Sequence, residues 1–142
     1  MRHVIFQVED ERYGLPLEAV REVFAPPTAF SRVPSAPAPI RGVINLRGRV
    51  VTVIDLGMLL GVPGGTSKRE KIVLLEHGRR DLGLLVTEVE GIESLEKISS
   101  APGRTTPAIR GVARLRRSAI TILDSEGIST VVTALFPKKM VG

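Results

Sequence analysis

The chain has 142 residues, room for one domain with a real core and too few for two large independent ones. It has no cysteine, which excludes disulfides and thiolate metal sites, and its net charge of +5 either keeps the surface soluble or calls for an acidic partner. Only 4% is aromatic and Trp is absent, so the core must be packed with Val, Ile and Leu, a composition that favours sheet.

The first residues carry charge beside a short apolar run and no small-residue cleavage site, so they do not read as a signal peptide. No run approaches the roughly 20 apolar residues of a membrane-spanning helix. The expected location is cytoplasmic, without membrane insertion. In chain order, alternation predicts a strand over His3 to Val8, a turn at Asp10-Glu11-Arg12 and a strand over Tyr13 to Leu17. Leu17, Val20 and Phe24 fit helical spacing while Val20, Glu22 and Phe24 alternate, which reads as one helical turn leading into a strand. The proline-rich stretch Ser31 to Pro39 cannot supply a ladder and is an extended connector.

The most tightly specified segment follows, Ile40 to Asp55. Val43 to Leu46 and Val50 to Ile54 are strands around the turn Arg47-Gly48-Arg49, with Gly48 suited to positive φ and both arginines solvated. Asp55 is placed to cap a short helical turn over Leu56 to Leu60 that ends at Gly61. Gly61 to Arg69 is a linker, and it lacks the spacing of a phosphate-binding loop. Strands are expected at Lys71 to Glu76, Leu82 to Thr87 and Val89 to Leu95, with a turn at His77 to Asp81 and a polar connector from Ser99 to Pro107.

The segment Ile40 to Asp55 then recurs. Shifted by 69 positions it aligns without a gap to Ile109 to Asp124, preserving Ile, Arg, Gly, Val, Leu, Arg, Thr and Asp, and Tyr13-Gly14 aligns with Leu82-Gly83. So long a period in so short a chain means two related subdomains. After Asp124, Ile128, Val131, Val132, Leu135 and Phe136 form an amphipathic helical stripe, ended by Pro137 and the pair Lys138-Lys139.

Chemistry is hard to find. His3 and His77 have no His or Cys at ligand spacing, and the carboxylates occur in scattered ones and twos with no pair set apart for acid and base work. No catalytic, metal or cofactor site is expected.

The residues do carry a resemblance. Tyr13-Gly14, Val20-Arg21-Glu22-Val23, Val33-Pro34 with Ala36-Pro37, and above all Arg41-Gly42-Val43-Ile44-Asn45-Leu46-Arg47-Gly48 followed by Val50 to Leu56 resemble the CheW family of chemotaxis coupling proteins. The match runs from Val4 to about Asp124. It implies a mainly β fold of two interleaved five-stranded SH3-like barrels with short helices and a C-terminal helix, all within one domain of residues 1–142. The implied subdomains are roughly 15–70 and 82–125, with the N-terminal strand and C-terminal segment crossing over. It also implies a non-catalytic adaptor joining a chemoreceptor cytoplasmic tip to the regulatory domain of a CheA-type histidine kinase.

Carried over by position, Glu22 and Arg47 match residues that the family places together near its receptor-binding face, where a carboxylate and a guanidinium can form a bidentate pair. Val20, Gly42, Asn45, Gly48 and Val50 are carried over as further partner-binding positions. This chain departs from the pattern in two respects. Thr52 stands where the family often has Pro, which an edge strand would tolerate. The second copy replaces Asn45 and Gly48 with Arg114 and Arg117, and the resulting cluster Arg114, Arg116, Arg117 points to a divergent acidic partner surface. Two other functions compete: a CheW-like paralogue outside swimming chemotaxis that binds only one of these partners, and a basic nucleic-acid-binding barrel. The second is disfavoured because single-strand binding relies on aromatic stacking and Phe6, Tyr13, Phe24, Phe30 and Phe136 fall mostly on core faces. No nucleic acid is expected.

Overall fold

A computed structural model describes residues 1–62, 70–76, 81–100 and 106–136. Ten strands and two helices appear among them: β1 Arg2–Val8, β2 Glu11–Pro16, β3 Val20–Phe24, β4 Ile40–Leu46, β5 Arg49–Asp55, α1 Leu56–Leu60, β6 Lys71–Leu75, β7 Leu82–Val86, β8 Glu88–Ser94, β9 Ile109–Leu115, β10 Ser118–Leu123 and α2 Ser125–Ala134. A 3-10 turn at Leu17–Ala19 leads into β3, as the mixed periodicity predicts. Most of the 61–69 linker, the His77–Asp81 turn except Asp81, the middle of the Ser99–Pro107 connector and the ending at Pro137, Lys138 and Lys139 lie outside the described residues.

The first hairpin turns earlier than its charges predict. Val8 pairs with Glu11, so Glu9 and Asp10 form a two-residue turn with Glu9 at φ 56, and Arg12 joins the ladder. Asp55 and Asp124 each cap the helix that follows, accepting from Met58 N and Gly127 N at 3.1 and 2.9 Å. Each satisfies one backbone donor that the first helical turn leaves open.

The ten strands form two five-stranded sheets. One runs β8-β1-β2-β10-β9 and the other β3-β6-β7-β5-β4. Under the 69-residue shift the two orders are the same, since β3, β4 and β5 correspond to β8, β9 and β10, and β1 and β2 to β6 and β7. Each sheet draws strands from both repeats. The parallel pairings coincide too, with Thr52 beside Leu82 in one sheet and Thr121 beside Tyr13 in the other.

Strands inside each sheet are buried on both faces. Val4, Phe6 and Leu15 join Ile54, Val73, Leu84, Ile128 and Val132 in a core shared by both sheets and α2. The alternate residues line a smaller core within each sheet, Ile5, Ile120 and Ile122 in one, Val51, Val53, Ile72 and Leu74 in the other. At about 1.5–3 kcal/mol for each fully buried aliphatic side chain, this double burial is the main stabilising term.

Neither sheet closes into a fully hydrogen-bonded barrel. Each instead curls until the segment following one edge strand touches the other edge at a single antiparallel bridge, Ser31 to Val43 and Ser99 to Val112. The crossing demands glycine at the adjoining position. A Cβ on Gly42 would lie 2.6 Å from the Ser31 carbonyl oxygen, and one on Gly111 would lie 2.3 Å from that of Ser99. The glycine repeated in both copies is therefore explained by backbone approach.

Candidate functional site at the first repeated hairpin

β4 and β5 meet in a two-residue turn, because Leu46 pairs with Arg49. Arg47 and Gly48 both have positive φ, 52 and 85, as a type I′ turn requires, so Gly48 is not alone in the left-handed region. The Asn45 side chain accepts a hydrogen bond from Gly48 N at 2.9 Å. Asn45 is thus spent on building the turn.

Arg47 points across to β3 and donates from Nη2 to Glu22 Oε1. With the Arg47 side chain 66% exposed and Glu22 30%, water screens the pair, and it contributes about 0–1 kcal/mol. The bidentate geometry expected here occurs one residue earlier: Arg21 donates from Nε and Nη2 to Glu76 at 2.8 and 3.1 Å. That bond holds the Glu76 carboxyl below its ordinary range.

Beside this pair, Asp81 serves two arginines. Arg49 Nη2 lies 2.8 Å and Arg21 Nη1 3.7 Å from its Oδ1. Charges therefore alternate across one end of the sheet in two groups, Glu22 with Arg47, and Glu76, Arg21, Asp81 and Arg49. The arginines at the turn are exposed yet partnered. Among these, Arg21, Arg49, Glu76 and Asp81 were not in the carried-over set. Asp81 is separated from Arg49 by 32 positions, and only the parallel pairing of β5 with β7 brings them together.

That pairing also corrects the reading of Thr52. β5 lies between β7 and β4 rather than at an edge, and Thr52 N donates to the Asp81 carbonyl at 2.9 Å. Proline there would remove a bond that positions Asp81.

The remaining carried-over positions separate by exposure. Val20 starts β3, half-buried against the shared core, and Gly42 is buried under the Ser31 crossing. Val50 is 65% exposed, a large apolar side chain on β5 opposite Asn45. On the other sheet, Arg114 lies on β9 and Arg116 and Arg117 form the turn to β10, with Arg116 at φ 58. Arg116 approaches Glu93 at 3.8 Å.

Among the described residues no group of three or more His, Asp or Glu side chains is arranged to hold a metal ion. Among the described residues no helix is long and apolar enough to cross a membrane. The fold and this site define a small two-sheet protein with alternating charges at one end of a sheet.

Residues 2–132 match the model of the CheW-like domain, and the chain belongs to the CheW family. It is 31% identical over 137 residues to the probable chemotaxis protein CheW of Rhizobium etli, covering 88% of this chain and 84% of that one. It is 30% identical over 130 residues to the chemotaxis protein CheW of Klebsiella aerogenes, covering 87% and 78%. Among solved structures it resembles the scaffolding protein TtCheW of Thermoanaerobacter tengcongensis, with a TM-score of 0.80 and 31% identity over 87% of this chain and 83% of that one.

Proposed function

We propose that this chain is a non-catalytic scaffold of chemotaxis-type signalling in the cytoplasm, coupling chemoreceptors to a CheA-type histidine kinase. Its membership of the CheW family carries this reading. The finer partners are the receptor's cytoplasmic tip and the kinase's regulatory domain. The receptor face is the end of the second sheet described above, where Val50 offers an apolar contact on the hairpin whose Arg47 pairs with Glu22. Val20, Gly42, Asn45 and Gly48 support that face from below, as core, crossing and turn residues.

An exposed ion pair worth so little to folding is available to a partner. Excluding water from it on docking raises its weight, because removing one member of a desolvated pair costs about 2–5 kcal/mol. The test is a titration of the full chain against a receptor tip fragment and, separately, the kinase regulatory domain. Both should bind. Arg47→Glu should weaken the receptor complex by roughly tenfold or more while leaving the unfolding midpoint nearly unchanged. Glu22→Arg combined with Arg47→Glu should recover part of the loss. Unaltered receptor affinity in a folded Arg47→Glu protein would remove the site assignment, and binding to neither target would remove the coupling role.

A further inference from the structure

The two repeated hairpins differ at the places where charge is settled. In the first, the carboxylates of Glu22 and Asp81 answer the arginines of the turn. Under the 69-residue shift those two positions become Gly91 and Arg12, while Asn45 and Gly48 become Arg114 and Arg117. Arg12 is itself held by Glu90, at 2.7 Å, and offers nothing to the second turn. Among the described residues Arg116 makes a long contact to Glu93, and its charge also reaches Glu90. Arg114 and Arg117 have no ion-pair partner among the described residues.

β9 is also an edge strand, and its edge is half covered. Val112 gives both its N–H and its C=O to Ser99, at 2.7 and 2.9 Å. In an antiparallel ladder, residues two apart direct their backbone groups to the same side, so the N–H and C=O of Arg114 point outward along that edge. Nothing among the described residues takes them. The surface there is a cleft of about 410 Å³ lined by Ser94, Glu96, Lys97, Ser99, Val112 and Arg114. Two cations, Lys97 and Arg114, line it against one carboxylate, Glu96, and Arg116 and Arg117 follow in the turn after β9.

From these observations we propose that the second hairpin docks an extended, carboxylate-rich segment of a protein partner. The segment would add alongside β9 at Arg114 and place its acidic side chains against the arginines of the turn. Open backbone donors and acceptors on a sheet edge are matched by another peptide backbone. A single nucleic-acid strand would need stacking surfaces, yet Phe6 and Tyr13 are buried and no aromatic residue lies on this hairpin. A membrane would need apolar anchors, and Ile120 is buried while Ala119 is small. The site lies on the other sheet from the proposed receptor face and does not depend on that assignment.

The test uses the full chain and three probes: a short fluorescent peptide alternating glutamate with valine, a fluorescent single-stranded oligonucleotide, and vesicles containing phosphatidylglycerol. The variant Arg114→Asn/Arg117→Gly installs the residues of the first hairpin and should keep the fold, which circular dichroism and thermal unfolding verify. Wild type should bind the peptide at least tenfold more tightly than this variant. N-methylation of alternate peptide bonds should abolish binding, and Arg47→Glu should leave it intact. Equal peptide affinity in wild type and the double variant would overturn the proposal. So would indifference to N-methylation, or tighter binding of the oligonucleotide or vesicles that persists at about 0.2 M salt.

Discussion

The two sheets have the same strand order and the same 69-residue register, so each is a control for the other. What they share is backbone engineering: a glycine under each crossing segment and an aspartate capping each following helix. What they do not share is charge and several buried side chains, Phe6 against Leu75 and Tyr13 against Leu82 among them. The second sheet has Asp81 where the first has Arg12, and Ile72 where the first has His3. The repeated glycine and aspartate serve the backbone in either copy alike, while charged positions such as 12 and 81 give each sheet its own surface.

The largest effect should come from breaking what is shared. Gly42→Ala and Gly111→Ala each force a methyl group against a carbonyl oxygen, and each should cost about 1–3 kcal/mol in urea unfolding. Similar losses from both would support the crossing as a common device. A neutral result in either sheet would show that its crossing segment simply moves aside.

A smaller effect should follow at the position where the sheets carry opposite charge. Asp81→Asn leaves Arg21 and Arg49 without their shared carboxylate and should lower stability by about 1 kcal/mol, an effect weakened by added salt. The partially exposed setting makes a larger loss unexpected. Insensitivity to salt would mean that the charge of Asp81 contributes little beyond the hydrogen bond its Oδ1 accepts from Arg49.

The smallest effect is a pH slope confined to the sheet that contains β1. His3 is fully buried, its Nδ1 lies 3.1 Å from the Met1 carbonyl oxygen, and its Nε2 has no partner. Burial pushes the imidazole below its ordinary 6.5, outweighing the Met1 carbonyl, while Glu18 and Arg110 act in opposite senses. The unfolded chain then binds more protons than the folded one between the lowered value and 6.5, so stability falls as pH drops through that window. Above 6.5 both states are neutral and the slope vanishes. Thermal unfolding against pH should show this slope, and His3→Ile, which copies Ile72, should flatten it. Glu76 and Glu90, held low by Arg21 and Arg12, act in a separate window, where stability present above 4.5 is lost as pH falls through their lowered values.

Local features were legible in the residues. The Asp55 cap, the end of α1 at Gly61, the hairpin around Arg47-Gly48 and the helical stripe after Asp124 all follow from chemistry acting within a few positions. The interleaving of strands rested on the family resemblance, because no local signal says that β5 lies beside β7. For the same reason the sequence alone puts Thr52 at an edge and does not single out Asp81. Arg12 with Glu90, and Arg21 with Glu76, are also meetings of residues far apart in the chain. The shift of 69 positions held one usable clue, since it sets Asp81 against Arg12 and so marks a site where the copies diverge.

Exchange of strands between the repeats also dictates an order of events during synthesis. When β2 is complete at Pro16, the other strands of its sheet are still to be made, since β8 begins 72 positions later at Glu88 and β9 and β10 follow it. Domains generally fold as units while the chain emerges at about 5–20 residues per second, so this first hairpin spends several seconds with both of its edges uncovered. The sheet holding β3 to β7 can form first and offers the apolar face of the shared core as a template. The N-terminal hairpin, first to be translated, is among the last parts to be enclosed, and it is there that a chaperone would find this chain most exposed.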